Sequence, residues 1–164
     1  MKILVISDSH GDTTLLNQIV SKHRGSVELV VFLGDNLLDA NEVMRDFPTI
    51  AYLGVLGNCD FPSMYTDART DGNFKIENKR IFYTHGHRYN VNFGLEYLVA
   101  NAKFNNCDIA LFGHTHVALT EMINGVFVIN PGSISRPRDG SNGTYALLEV
   151  TSSDVKCDIM EVEK

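Results

Sequence analysis

The sequence predicts an α/β fold in which one mixed sheet, or two packed sheets, is flanked by helices. Four short segments, at residues 2–7, 27–33, 50–56 and 108–112, are apolar nearly throughout and rich in β-branched residues. Such segments are typical of strands buried on both faces of a sheet. Segments with a helical spacing of apolar residues lie between them, and two turn signals in the second half predict β-hairpins.

In the first half of the chain, the predicted order of elements is β-α-β-α-β. The first helix is predicted by an apolar face that consists of Leu15, Leu16, Ile19 and Val20. The second helix has Val43, Met44 and Phe47 on its apolar face. We expect it to open at Asp39, with Glu42 three residues further on, and to end at Pro48.

The second half combines hairpins with a third helix. Residues 77–79 separate two apolar runs, which predicts a hairpin. The third helix has an apolar face that consists of Leu95, Leu98, Val99 and Ala102, and it precedes the strand at 108–112. Asn124-Gly125 is a strong signal for a type I′ turn, and strands at 143–150 and 155–162 close the chain.

Length, charge and cysteine content narrow the class of protein. A chain of 164 residues fits a single domain spanning 1–164. Its net charge of −6 argues against the basic field that attracts long nucleic acids or membranes. The N-terminal apolar run, residues 3–6, is too short for a signal peptide or a membrane span. Three cysteines without a C-x-x-C pair are typical of free thiols, so we expect a cytoplasmic protein.

Polar side chains follow the carboxyl ends of five predicted strands. The five motifs are Asp8-Ser9-His10, Gly34-Asp35-Asn36, Gly57-Asn58-Cys59-Asp60, His85-Gly86-His87 and Gly113-His114-Thr115-His116. Ligands of open α/β sheets bind beyond the carboxyl ends of the strands, where the loops converge. We therefore expect seven candidate metal ligands to share one crevice, namely Asp8, His10, Asp35, Asn58, His85, His114 and His116.

This set offers oxygen and nitrogen atoms and requires no thiolate. It suits manganese, iron, nickel, zinc or cobalt better than a structural, thiolate-bound zinc ion. Seven ligands are too many for one tetrahedral catalytic metal that keeps an open position. They fit two metals that share a bridging carboxylate, an arrangement that catalyses phosphoryl transfer.

Each motif also has a structural interpretation. Asp8 could cap the following helix, and Asp35, Asn58 and Asp60 could form turns. The segment 85–87 could be the polar exit of a hairpin, and Asp60 could instead orient Cys59 or a ligand. The joint occurrence of the motifs at five strand ends favours the metal site. His23 lies outside the motifs, between two basic residues, and is predicted to be solvated.

The five motifs, in this order, resemble the calcineurin-like metallophosphoesterase superfamily. The segments "ISDSHG", "GNCD" and "NPGSISRPR" are similar to its small bacterial and archaeal phosphodiesterase branch. The resemblance spans residues 8–116 and implies a four-layer α/β/β/α sandwich that hydrolyses small phosphodiesters. It implies that one metal is held by Asp8, His10, Asp35 and His116, and the other by Asp35, Asn58, His85 and His114. A hydroxide between the metals would then attack phosphorus.

The resemblance also implies two divalent cations, for which we expect Mn²⁺, with Fe, Ni, Zn, Co or Mg as alternatives. Cys59 stands where many members carry a histidine that assists the leaving group. A thiol with a pKa of about 8.5 is a poor substitute for imidazolium. His87 could donate a proton to the leaving group in place of that histidine, or it could have only a structural role. Arg136 and Arg138 could bind the substrate phosphate, or belong to a solvated loop.

Two other functions compete with the phosphodiesterase. A protein-binding scaffold of the same fold, similar to the related retromer subunit, would be signalled by the loss of metal-site residues, and none is lost here. A nuclease acting on long nucleic acids would need a basic channel or further domains, which this acidic chain lacks. A homodimer is the most common oligomer and is the expectation for assembly.

Overall fold

The computed structural model describes residues 1–67 and 69–163, and these contain ten strands and three α-helices. The strands are β1 (Lys2–Ile6), β2 (Leu29–Phe32), β3 (Ala51–Gly54), β4 (Asp71–Ile76), β5 (Lys79–Thr84), β6 (Ile109–Leu111), β7 (Ala118–Ile123), β8 (Val126–Pro131), β9 (Thr144–Val150) and β10 (Val155–Glu161). The helices are α1 (Thr13–His23), α2 (Leu37–Met44) and α3 (Glu96–Phe104). All ten strands belong to two five-stranded sheets.

Both sheets are mixed. The first has the order β10-β9-β1-β2-β3, in which β1, β2 and β3 are parallel. Strand β9 pairs antiparallel with β1, and β10 pairs antiparallel with β9. The second has the order β4-β5-β6-β8-β7, with β5, β6 and β8 parallel and an antiparallel strand at each edge. The carboxyl ends of each parallel set therefore share one edge of their sheet.

Three hydrophobic clusters lie between four layers, which are α1 with α2, the first sheet, the second sheet and α3. This arrangement confirms the α/β/β/α sandwich. Leu4 and Ile6 of β1 pack against α1 and α2, while Ile3 and Val5 face the second sheet. The outer face of the second sheet packs against α3, where Leu98 is fully buried. Successive side chains of a strand point to opposite faces, which explains why β1 packs against a helix layer on one side and against the second sheet on the other. Burial of each such side chain stabilises the fold by roughly 1.5–3 kcal/mol.

The observed strands are shorter than predicted at their carboxyl ends. β2 ends at Phe32 and β3 at Gly54, because the following residues leave the ladder and turn into the loops that carry the polar motifs. The prediction that all four apolar segments are buried on both faces is wrong for β3. This strand lies at the edge of the first sheet, and its residues are exposed or half-buried.

The boundaries predicted for α2 are also wrong. The helix begins at Leu37 rather than at Asp39, and it ends at Met44, before Pro48. Asn36, at the N-cap, has a left-handed backbone and makes no side-chain capping bond. The first free backbone N–H, that of Leu37, donates to the carboxylate of Asp60 at 2.8 Å. A distant residue thus takes the place of the predicted local cap.

His23 is buried, so the prediction that it is solvated is wrong. Only 9% of the residue is exposed, and Nε2 lies 3.0 Å from the hydroxyl of Tyr145. The two rings meet nearly edge to face, with their centroids 5.5 Å apart. The flanking basic residues suggested a solvated helix end, but β9 covers this side of α1. The histidine is part of the core.

We expect His23 to titrate below its ordinary pKa of 6.5, because burial disfavours the imidazolium and Lys22 adds positive charge. As the pH falls, the unfolded chain therefore takes up this proton first. The stability that neutral His23 contributes is present above pH 6.5 and is lost as the pH falls through the lowered pKa. NMR titration measures the pKa, and urea unfolding of wild type and His23→Gln measures the linkage. A pKa above 6.5 would contradict the prediction.

The hairpin predicted at Asn124-Gly125 is confirmed. These two residues connect β7 to β8, and both have positive φ, at 50° and 85°. A type I′ turn requires this backbone at both central positions. Within residues 1–67 and 69–163, no helix combines the length and the apolar character that are needed to cross a membrane.

Candidate active site

Four of the predicted ligands converge into one compact group, which we call the first ligand group: Asp8, His10, Asp35 and His116. One donor atom of each lies within 4.8 Å of the others. His116 Nε2 is 3.2 Å from Asp8 Oδ1 and 3.1 Å from His10 Nε2, and His10 Nε2 is 3.7 Å from Asp35 Oδ2. Two buried carboxylates and two ring nitrogens that face one another form a donor set that fits a divalent cation.

The other three predicted ligands lie on the opposite side of Asp35. Together with Asp35 they form what we call the second ligand group: Asp35, Asn58, His85 and His114. His85 Nε2 is 3.5 Å from Asp35 Oδ1 and 3.1 Å from Asn58 Oδ1. The rings of His85 and His114 have their centroids 5.1 Å apart. Asp35 therefore presents Oδ2 to the first group and Oδ1 to the second.

Backbone carbonyl groups orient two of the imidazole rings. His85 Nδ1 donates to the carbonyl of Leu33 at 2.6 Å, and His116 Nδ1 donates to the carbonyl of Arg136 at 2.6 Å. Each of these bonds places the ring proton on Nδ1. The lone pair of Nε2 then points into the site, as in histidines that bind metals.

The loops that carry the ligands have an unusual backbone. Asp8, His10, Asp35, His114 and His116 have positive φ, between 45° and 70°. This conformation is uncommon for residues other than glycine, and clusters of it are typical of functional sites. The capping interpretation of Asp8 is wrong, because the side chain of Asp12 accepts the capping bond of α1 from Leu15 N at 2.9 Å.

Glycines keep the loops close together. A Cβ atom on Gly57 would overlap the carboxylate and the backbone nitrogen of Asp35. A Cβ atom on Gly113 would overlap the hydroxyl of Ser7 and lie 2.9 Å from Asp8 Oδ2. At these two positions, the absence of a side chain allows one ligand loop to pack directly against another.

Asp60 connects the loops and orients a candidate ligand, which was one of the roles predicted for it. Its Oδ2 accepts the backbone N–H groups of Asp35 at 3.1 Å and Gly57 at 2.8 Å. Its Oδ1 accepts the N–H of Leu37 at 2.8 Å and the hydroxyl of Tyr65 at 2.9 Å. Asp60 therefore positions the backbone of Asp35, a candidate ligand, as the sequence predicted for one of its possible roles.

The protonation states of the first ligand group suit cation binding. Burial opposes the ionisation of Asp8, but the neighbouring imidazoles of His116 and His85 outweigh it and lower the pKa of Asp8. Burial also lowers the pKa of His10, which favours the neutral ring. The carboxylate of Asp8 raises the pKa of His116, so a cation and a proton compete for Nε2 of this ring.

Cys59 and His87 both lie beside the second ligand group. The Cys59 backbone N–H donates to Asp35 Oδ1 at 2.9 Å, and desolvation and the Asp35 charge raise the pKa of the thiol to about 11. The His87 ring centroid is 5.3 Å from that of His85 and 6.1 Å from that of His114. Its Nδ1 is buried and has no hydrogen-bond partner among the described residues.

Arg136 and Arg138 lie on the side of the first ligand group, and both side chains are exposed. Their loop is fixed by the Arg138 N–H, which donates to the carbonyl of His116 at 3.1 Å. The hydroxyls of Ser133 and Ser135 donate to the carbonyl of Asp8 at 2.8 and 3.2 Å. The carbonyl of Arg136 accepts the Nδ1–H of His116 at 2.6 Å, so the loop that carries both arginines borders the first ligand group.

Comparisons with known proteins agree with this geometry. Residues 1–153 match the calcineurin-like phosphoesterase superfamily domain. The chain is 34% identical to the probable metallophosphoesterase YsnB of Bacillus subtilis, covering 90% of this chain and 83% of YsnB. It is 30% identical to the phosphodiesterase YfcE of Escherichia coli, covering 91% and 88%. A predicted phosphoesterase from Streptococcus pneumoniae superposes with a TM-score of 0.83 at 30% identity, covering 98% and 88%.

The same fold also occurs in Vps29. The structure of Vps29 from Entamoeba histolytica in complex with Zn²⁺ superposes with a TM-score of 0.76, covering 99% of this chain and all of Vps29. The sequence identity is 23%, so this similarity concerns the fold alone.

Proposed function

Because the chain belongs to the calcineurin-like phosphoesterase superfamily, we propose that it is a binuclear, metal-dependent phosphodiesterase for small diesters. The observation that carries the proposal is the position of Asp35, whose two carboxylate oxygens face different ligand groups. The name of YfcE, a phosphodiesterase 30% identical to this chain, supports diesters as the substrate class. The net charge of −6 favours a small substrate over a long nucleic acid.

The donor chemistry supports two divalent cations, and we propose Mn²⁺. The first cation would be held by Asp8, His10, Asp35 and His116, and the second by Asp35, Asn58, His85 and His114. Oxygen and imidazole nitrogen donors suit Mn²⁺, although Fe, Ni, Zn, Co and Mg compete for such a site. Asp8 Oδ1, a buried oxygen without a hydrogen-bond donor among the described residues, fits the role of a ligand.

Different residues of the chain would bind the phosphoryl group and assist the leaving group. When bound, the two cations lower the pKa of a water molecule and offset negative charge on the phosphoryl group. Arg136 and Arg138 would bind a non-bridging phosphoryl oxygen from the side of the first ligand group. Asn58 and His114 border the opposite side, next to Cys59 and His87, where the leaving group would depart. Proton donation to that group would come from Cys59 or His87.

The proposal is tested with protein that has been stripped of metal by a chelator. We expect added Mn²⁺ to restore hydrolysis of bis(p-nitrophenyl) phosphate, with p-nitrophenyl phosphate cleaved more slowly, and metal analysis to give two ions per chain. No hydrolysis with any of the six metals, in protein shown to be folded, would contradict the enzyme. It would favour the second candidate, a scaffold that uses the fold it shares with Vps29 to bind a protein.

The Cys59→His variant is expected to gain activity, and to gain most on diesters with poor leaving groups. An imidazolium donates a proton readily near neutral pH, whereas the raised pKa of the Cys59 thiol makes it a weak acid catalyst. We expect a gain of roughly tenfold or more for alkyl leaving groups. Rates across a series of leaving groups measure this, with Cys59→Ala as the control for loss of the thiol. Equal relative rates in wild type and Cys59→His would refute it.

A further inference from the structure

Two exposed aromatic residues, Phe61 and Phe93, come shortly after motifs of the second ligand group in the chain. Phe93 is 92% exposed and Phe61 is 69% exposed. Exposed apolar side chains carried by loops that border a binding site are candidates for contacts with its ligand. Phe61 comes two residues after Cys59, and Phe93 comes six residues after His87.

The loop of Phe93 is attached to the site by its neighbours in the chain. Asn92 Nδ2 is 2.9 Å from His114 Nε2, which ties the residue before Phe93 to a predicted ligand. Val91 is 5% exposed and packs near Gly86, where an added Cβ would lie 3.0 Å from its side chain. The backbone of Phe93 is therefore held beside His114 while its ring extends into solvent.

The loop of Phe61 is fixed in the same way on the neighbouring strand end. Asp60, the residue before it, binds the backbone N–H groups of Asp35 and Gly57. The carbonyl of Phe61 accepts the N–H of Met64 at 3.0 Å and begins a short 3-10 turn at Pro62–Met64. Both rings thus belong to loops in which the preceding residue is hydrogen-bonded to the second ligand group.

The two sides of the crevice differ in chemistry. Arg136 and Arg138 are exposed on the side of the first ligand group, where they can attract the anionic phosphoryl group. Phe61 and Phe93 are exposed in the loops that follow Cys59 and His87, on the side where the leaving group of the proposed reaction departs. A cationic side opposite an aromatic side selects the orientation in which a diester binds.

We propose that Phe61 and Phe93 bind an aromatic ring on the leaving-group arm of the diester, an inference that rests on the proposed function. Contacts of this kind between aromatic rings contribute enough to change binding by roughly three- to tenfold per ring. The ring can be attached directly to the leaving oxygen, as in a phenol, or be carried by a sugar, as in a nucleoside. The chemistry shared by both sources is a flat apolar ring on this arm.

The test compares two methyl diesters whose leaving groups are of similar acidity. The leaving group is 4-chlorophenol in one and hexafluoroisopropanol in the other, so only the first offers an aromatic ring. In wild type with Mn²⁺, we expect kcat/KM to favour the aryl diester. Phe61→Ala and Phe93→Ala are each expected to reduce the aryl-to-alkyl ratio by roughly three- to tenfold. Methyl esters of thymidine 3′-phosphate distinguish a nucleoside from a phenol as the source of the ring.

Phe104→Ala is the matched control. Phe104 is 85% exposed, but it is the last residue of α3, near the amino end of β6 and the opposite edge of the sheet. A ratio unchanged in Phe61→Ala and Phe93→Ala, relative to Phe104→Ala, would overturn this inference while the wild-type rates still support the proposed function. Absence of metal-dependent hydrolysis of both diesters would overturn the proposed function and the inference with it.

Discussion

The Asp35→Asn variant is expected to lose diester hydrolysis by at least roughly a thousandfold, which corresponds to about 4 kcal/mol of transition-state stabilisation. Asp35 is 2% exposed, and its two oxygens lie 3.7 Å from His10 Nε2 and 3.5 Å from His85 Nε2. An amide keeps one oxygen but replaces the other with an NH₂ group, which cannot bind a cation. It also removes the negative charge that the two cations of the proposed site would share.

Metal content provides a readout that does not depend on activity. Wild type is expected to retain two Mn²⁺ ions per chain, and Asp35→Asn fewer. Because a ligand at 100 times its Kd stabilises the folded state by about 2.7 kcal/mol, the rise in Tm on addition of Mn²⁺ is expected to shrink in the variant. The remaining amide oxygen can still accept the N–H of Cys59, so the loop is expected to fold.

Asp46→Asn is the control for this experiment, because Asp46 is an exposed carboxylate just beyond the C-terminus of α2. The control is expected to keep the metal content and the rate of wild type. Two tightly bound ions and a normal rate in Asp35→Asn would exclude Asp35 as a bridging ligand, and with it the arrangement of the two ligand groups proposed above.

The convergence of the candidate ligands was predictable because strand ends and their polar motifs are local features of the sequence. Asp8 and Asp35 follow β1 and β2 within three residues, and the parallel pairing of these strands brings the two carboxylates to one edge. The positions of the motifs at strand ends were therefore enough to predict that residues from both halves of the chain share one crevice. The two-sheet architecture was left open by the residues themselves, because a buried strand looks the same in one sheet or in two.

The features that were predicted wrongly depend on contacts between distant residues. The start of α2 is set by Asp60, 23 residues away from Leu37, and the burial of His23 by Tyr145, 122 residues away. Local signals pointed to Asp39 as the cap and to a solvated histidine, and tertiary contacts overrode both. The aromatic side of the crevice was missed for a related reason: single exposed rings in loops carry no periodic signal.

The Asp60→Ala variant is expected to lower the free energy of unfolding by roughly 3–5 kcal/mol. The carboxylate accepts four hydrogen bonds, three from backbone N–H groups of Asp35, Leu37 and Gly57 and one from the hydroxyl of Tyr65. Its removal leaves those donors without an acceptor, and hydrogen bonds to charged groups are among the strongest in proteins. It also releases the backbone of Asp35, so metal affinity is expected to fall although no ligand is changed.

Two milder variants separate these effects and guard against a chain that does not fold. Tyr65→Phe removes one donor to Asp60 and leaves the three backbone bonds of this carboxylate. It also removes the acceptor of the Leu38 N–H, which lies 3.1 Å from the hydroxyl, so we expect a loss of about 2 kcal/mol and nearly normal Mn²⁺ binding. Asp60→Asn keeps an oxygen for Leu37 but turns an NH₂ group towards the N–H groups of Asp35 and Gly57, so we expect weaker Mn²⁺ binding as well. Urea unfolding and Mn²⁺ titration measure both quantities. If Asp60→Asn bound Mn²⁺ as tightly as Tyr65→Phe does, Asp60 would stabilise the fold without positioning Asp35.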